Sequence, residues 1–176
     1  MSGTKTPLYD QHVSLNGKIV SFAGFLLPTH YSSINHEHNL VRTKVGIFDV
    51  SHMGEILISG DDALSFLQKT TINDLKDLDV GQAQYSAMCY DDGGIIDDLL
   101  IYKKASNYML VVNATNRTKD YDWLMENKFG DVQIRDVSDS IALIAIQGPS
   151  SKSVLQNLTK YNLNDLKYYH FIEDRI

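Results

Sequence analysis

Gly93-Gly94-Ile95-Ile96-Asp97-Asp98-Leu99-Leu100-Ile101-Tyr102 sets two adjacent carboxylates inside a run that otherwise reads as a buried β-strand. Strand side chains alternate between faces, so Asp97 and Asp98 point in opposite directions. By that alternation Asp98 shares a face with Ile96, Leu100 and Tyr102, and Asp97 shares one with Ile95, Leu99 and Ile101. Both faces are apolar, which predicts that at least one carboxylate lies against apolar surface. A buried charge is costly unless it finds a partner, shifts its pKa or meets a ligand. An Asp paired with an Arg, or capping a turn, accounts for the pattern equally well.

The flanks make this run the middle of an antiparallel meander. Gln84 to Tyr90 reads as the preceding strand, and Asp91-Asp92-Gly93-Gly94 as a turn whose glycines permit positive φ. Ile95 to Lys103 returns, and a third strand, Tyr108 to Ala114, follows an Ala105-Ser106-Asn107 turn. Upstream, Gly17 to Gly24 reads as a short strand, and Pro28 forbids a continuous helix through the apolar cluster around it. Ser33 to Val45 reads as a helix capped by Ser32 or Ser33 and stopped at Gly46. Its Ile34, His38, Val41 and Val45 share a face. Glu55 to Ser59 is a strand, Gly60-Asp61-Asp62 opens a helix carrying Ala63, Leu64, Phe66 and Leu67, and Thr70 to Gly81 is a loop.

Downstream, Asn116 to Lys128 reads as a helix with Tyr121, Leu124 and Met125 toward the core. Val132 to Val137 and Ile141 to Gln147 read as a β pair. Gly148-Pro149 then starts a helix with Val154, Leu155 and Leu158 facing inward. Tyr168 to Ile172 reads as a last strand, and the abrupt stop after it hints at a fragment of something longer. Hairpin-joined strands interleaved with helices predict the α+β class, with antiparallel sheets and packed helices rather than a doubly wound parallel sheet.

Composition narrows the function classes. The 176 residues are 43% hydrophobic and 22% charged, ordinary for a globular protein. A net charge of −6 with scattered Lys and Arg argues against nucleic acid as a partner. No apolar stretch approaches the roughly 18 residues of a membrane span, and the N-terminus lacks an apolar signal core. The single cysteine, Cys89, excludes an internal disulfide and fits a reducing compartment, which makes the cytoplasm the expected location.

The chemistry-bearing candidates cluster around the meander. No metal signature is present: His36, His38 and His52 lack ligand spacing, so no metal is expected. Gly93-Gly94 belongs to a hairpin, not a phosphate loop. Cys89 lies mid-strand beside Met88 and reads as an inert core thiol. What remains is Asn113 on the third strand, Tyr85 and Tyr102 on the first and second, and Met53 just before an earlier strand. Apolar walls with one acid and one amide suit a flat heterocycle with hydrogen-bonding edges. A core with a few satisfied polar groups is the plainer reading of the same residues.

Longer strings carry a family resemblance. Phe48-Asp49-Val50-Ser51-His52-Met53-Gly54-Glu55, Tyr85-Ser86-Ala87-Met88-Cys89 and Gly93-Gly94-Ile95-Ile96-Asp97-Asp98-Leu99 resemble the glycine cleavage T-protein family of folate-dependent aminomethyltransferases. Thr6-Pro7-Leu8, Phe22-Ala23-Gly24-Phe25, Val112-Asn113-Ala114 and Ala145-Ile146-Gln147-Gly148-Pro149 add to it, in order through nearly the whole chain. The resemblance implies transfer of an aminomethyl unit from the lipoyl arm of H-protein to tetrahydrofolate, a co-substrate, with release of ammonia. Lipoylated H-protein and tetrahydrofolate are the implied partners. It maps the catalytic acid/base onto Asp98, and the pterin pocket onto Met53, Tyr85, Asp98, Leu100, Tyr102 and Asn113.

The resemblance also implies that residues 1–50 and 138–176 form part of a first folate-binding domain, with 51–137 as a second α+β domain. Family members are about twice this length, so the implied activity needs the remaining half. Folate-binding domains of sarcosine- and dimethylglycine-oxidising enzymes share this architecture, and a non-catalytic folate-binding module is the third alternative.

Overall fold

The computed structural model describes residues 2–174. In chain order the elements are β1 (Thr4–Lys5), α1 (Tyr9–Ser14), β2 (Ile19–Phe22), β3 (Phe25–Pro28), α2 (Ile34–Thr43), β4 (Gly46–Asp49) and β5 (Gly54–Ser59). They continue with α3 (Ala63–Thr70), β6 (Ala83–Cys89), β7 (Ile95–Lys103), β8 (Tyr108–Val112), α4 (Arg117–Glu126), β9 (Gln133–Asp136), β10 (Ile144–Gln147) and α5 (Ser151–Gln156). Every strand pairing is antiparallel except β1 with β3, and the α+β class read from the sequence is the one observed.

The described residues form two compact units. Residues 2–52, 142–165 and 173–174 make the first, and Met53–Ile141 with Leu166–Ile172 the second. The expected boundaries, 1–50 with 138–176 and 51–137, differ from these units over residues 51–52, 138–141 and 166–172.

The second unit is built on a five-stranded sheet in the order β6-β7-β8-β5-β9. Alternation puts Ile56 and Ile58, Leu99 and Ile101, and Leu110 and Val112 on its buried face. Against them packs α3, whose Ala63, Phe66, Leu67 and Thr70 recur at the spacing of one helical stripe. From α4, Leu124 is fully buried and Tyr121 and Trp123 pack on the cluster, while Met125, expected in the core, is 42% exposed. Gly60 turns the chain into α3 with a φ of +111°, and a Cβ there would lie 2.1 Å from the Asp131 carbonyl oxygen. Asp62 does not cap its own helix; its Oδ2 accepts from the Asp131 backbone N–H at 2.8 Å.

The meander is present, with one irregularity. Register slips between Met88, opposite Asp97, and Cys89, opposite Ile95, leaving Ile96 unpaired in a β-bulge. The extra residue resets the alternation, so Ile96 is buried beside Asp97 rather than sharing the face of Asp98. The expected last strand, Tyr168 to Ile172, is instead an irregular segment joined to the edge of β6 by a single bridge, His170 to Gln82.

The first unit holds a three-stranded sheet, β1-β3-β2, and a two-stranded sheet, β10-β4. Ser33 caps α2 as expected, its side chain accepting from the His36 N–H at 3.3 Å. Gly46 opens β4, a strand absent from the sequence reading, instead of ending the helix, which closes at Lys44. The expected β9–β10 pair does not form: β9 adds to β5, and β10 to β4. Val154 and Leu158, read as inward-facing, are exposed.

Candidate functional site

From Asp97 onward β7 alternates cleanly. Asp97, Leu99 and Ile101 are buried; Asp98 is exposed, and Leu100 and Tyr102 are half-buried on its face. Directly opposed residues share a face. Tyr85 of β6 lies opposite Leu100, and Ala83 opposite Tyr102. Gly54 pairs with Val112, so the register brings Met53 alongside Asn113 at the end of β8. Tyr85, Asp98, Leu100, Tyr102 and Asn113 therefore gather on one open face of one sheet, and Met53 lies just before β5.

Hydrogen bonds tie three of them together. Asp98 Oδ2 accepts from the Tyr85 hydroxyl at 2.5 Å, and Oδ1 accepts from Asn113 Nδ2 at 2.9 Å. The same Asn113 amide donates to Asp97 Oδ1 at 3.0 Å, so one NH₂ group bridges two carboxylates on opposite faces. The bond to Asp98 raises the Tyr85 hydroxyl pKa, and burial raises that of Tyr102.

Of the two carboxylates, Asp97 is the one that lies against apolar surface. Asp98 is exposed, whereas Asp97 is 5% exposed. Burial alone would raise the Asp97 carboxyl, but hydrogen bonds from Asp120, Asn113 and Asn116 outweigh it and hold the group below the usual carboxylate range. Asn116 Nδ2 donates at 2.9 Å and the Asn113 backbone N–H at 3.3 Å. Asp120 has no exposed surface, and burial followed by its contact with Asp97 pushes it up to about 8. The alternation read for the two β7 carboxylates thus holds, and Asp97 is the buried one; the bulge changes only the placing of Ile95 and Ile96.

Three contributors escaped the sequence reading. Phe171 packs edge-on against Tyr102, with ring centroids 5.4 Å apart. Tyr169, at a φ of 54°, gives its carbonyl to the Ala83 N–H at 2.8 Å. The aromatic run from Tyr168 to Phe171 was the only signal for these two. Asp120 lies one helical turn before Leu124, so the periodicity that marks Leu124 as core marks Asp120 as well.

A cavity lies elsewhere as well. An apolar groove of about 790 Å³ in the first unit is lined by Phe22, Leu27, Val41, Ile47, Phe48 and His52, among others, and by none of the six site residues. Among the described residues no three His, Cys, Asp or Glu side chains gather as a metal site. No helix among them is long and apolar enough to cross a membrane.

An α+β chain with a paired-acid meander is the class that fold and site define. Residues 8–176 match the GCVT N-terminal domain, and the chain belongs to that family. It is 53% identical to the aminomethyltransferase of Bacillus licheniformis over 171 residues, covering 97% of this chain and 47% of that protein. It is 52% identical, with the same coverage, to the aminomethyltransferase of Bacillus subtilis. The crystal structure of glycine cleavage system aminomethyltransferase T from Bartonella henselae superposes with a TM-score of 0.89 at 33% identity, over 96% of this chain and 47% of that one. The chain spans about half the length of the curated relatives it matches, and corresponds to their N-terminal half.

Proposed function

We propose that this chain carries the folate-facing half of an aminomethyltransferase, which passes the aminomethyl unit from the lipoyl arm of H-protein to tetrahydrofolate and releases ammonia. The observation that supports it most is the Asp98 carboxylate, held at both oxygens by Tyr85 and Asn113 on an open face. Half-buried Leu100 and Tyr102 give that face apolar surface suited to a flat heterocycle.

Tetrahydrofolate supplies the amine nucleophile. As the amine bonds to the methylene carbon, the bond from that carbon to the departing ammonia nitrogen breaks; Asp98 takes up the proton the amine sheds and stabilises the positive charge developing there. Tyr85 and Asn113 fix the direction of the carboxylate. A bound ring that displaces water from the exposed Asp98 strengthens the interaction by lowering the local dielectric. The cytoplasm is the compartment this reading implies, and the single thiol of Cys89 agrees with it.

The test pairs the chain with the part of the Bacillus subtilis aminomethyltransferase that it does not match, plus lipoylated H-protein. Asp98→Asn is expected to lower turnover by about 100-fold or more, while calorimetry shows tetrahydrofolate affinity changed by less than about tenfold. Equal turnover of the two forms removes Asp98 as acid/base. Failure of the wild-type pair to bind tetrahydrofolate removes the folate site itself.

A further inference from the structure

The second unit buries two carboxyl groups at the junction of β7 and α4: Asp97 is 5% exposed and Asp120 not at all. Asp97 accepts from three N–H groups, those of the Asn113 backbone, the Asn113 amide and the Asn116 amide. Asp120 accepts from no N–H or hydroxyl at either oxygen. It lies one turn of α4 after Asn116, whose amide reaches Asp97, and after burial Asp97 is the neighbour that raises it most. Two carboxylates in contact in a dry site do not both ionise, and a hydrogen bond between them requires one proton.

The donors decide where that proton resides. Asp97, with three N–H groups aimed at it, is the anion; Asp120 is the acid, and its O–H is the fourth donor. Lys119 opposes this, but its lowering of Asp120 ranks behind burial and Asp97. Lys119, adjacent on α4, donates its Nζ to the Ile96 carbonyl at 2.6 Å, and Arg117 is engaged by Asp136 and Asp139. Asp98, on the other face of β7, adds negative field that favours keeping the proton.

We propose that Asp120 is a positioning residue: its O–H anchors Asp97, Asp97 anchors the Asn113 amide, and that amide sets the Asp98 carboxylate on the open face. The relay runs from the Asp120 O–H to Asp97, from the Asn113 NH₂ to Asp97 and Asp98 together, and from the Tyr85 O–H to Asp98. Loss of the Asp120 proton removes one donor from Asp97 and sets a second anion against it. The Asn113 amide, which serves both carboxylates, then shifts. The proposal rests on the reading of Asp98 given above for its link to activity, and on the hydrogen bonds alone for the relay.

Nuclear magnetic resonance of the Asn113 side-chain amide in this chain, between about pH 6 and about pH 10, tests the relay. In the wild type the resonance is expected to move, with a midpoint near the value of about 8 to which burial and Asp97 push Asp120. Asp120→Asn keeps an N–H donor toward Asp97 and has no proton to lose, so the transition is expected to disappear while the low-pH position stays. Should that variant fail to fold, Asp97→Asn reads the same point, because removing the anion also abolishes the transition. A wild-type amide that does not move, or the same transition persisting in either variant, overturns the proposal. In the reconstituted pair, tetrahydrofolate affinity is expected to weaken through the same pH window. An amide transition without that weakening leaves the relay standing and counts against the functional reading of Asp98.

Discussion

Around the second unit's sheet, one apolar cluster runs from Ile56 to Ile134 with Phe66, Leu67, Met88 and Leu110 fully buried. In the first unit the buried apolar side chains among the described residues are Leu26, Leu27 and Leu163. There α2 buries nothing, and Ile34, Ile47, Phe48 and Ile144 stay exposed near or along an apolar groove of about 790 Å³. The units also hold their acids differently. Asp49 of the first accepts from Thr6 Oγ1 at 2.6 Å, His12 Nε2 at 2.8 Å and the Ser51 N–H at 3.0 Å, and is held below its usual range although burial opposes this. The second unit holds two acids shifted the other way, Asp120 and Glu55. The second unit, which also has a donor-rich anion in Asp97, thus adds buried acids pushed toward the neutral form.

Truncating the two cores should separate the units most. Phe66→Ala is expected to cost about 3–5 kcal/mol, read by denaturant titration of Trp123 fluorescence, the sole tryptophan, which packs on this cluster. Leu27→Ala borders the groove, already lacks neighbours on one side, and is expected to cost about 2 kcal/mol, read by hydrogen exchange in β2 and β3. Equal costs break the comparison.

A smaller effect comes from pH. Burial raises Glu55 to about 7, with Arg117 opposing and Asp136 adding, and Asp120 stands at about 8. Because these folded-state values lie above the unfolded ones, the stability they contribute is complete below the ordinary carboxylate range. It is lost as pH rises through about 7 and about 8. Asp49 has the opposite sign: its contribution is present above the ordinary range and lost as pH falls through its depressed value. Burial also lowers His52, so the first unit gains slightly as pH rises toward the ordinary histidine range. Between about pH 5 and about pH 8 the second unit should therefore weaken, on the order of 1 kcal/mol, while the first does not, as residue-resolved hydrogen exchange would record. A parallel loss in both units contradicts the assignment.

The smallest expected effect is a charge placed on the exposed side of the first unit. Ile47→Asp, at a side chain 64% exposed, should change stability by less than about 0.5 kcal/mol in thermal unfolding of this chain. A loss several times larger would mean that this surface is a covered core after all.

What could be read from the chain follows the reach of each signal. Strand β7 and its hairpin were legible because alternation and the Gly93-Gly94 turn are local, and Ser33 was legible as a cap for the same reason. The Ile96 bulge was not, since one unpaired residue resets alternation without altering composition. β4 was hidden by a glycine that also suits a helix end, and the partners of β9 and β10 by sequence separation. The six residues proposed as the site came from family strings, and strand alternation independently placed Asp98, Leu100 and Tyr102 on one face, as observed. Asp120 was not, because a lone acid in a helix looks solvated until the sheet beneath it is known.

The Asn113 amide also fixes the polarity of what can settle on the open face. Both of its hydrogens are committed, one to each aspartate, and the Tyr85 hydroxyl proton points at Asp98. What Asp98, Asn113 and Tyr85 have left to offer a visitor is lone pairs. A molecule presenting N–H or O–H groups along its rim is matched there, and one presenting only carbonyl oxygens is turned away.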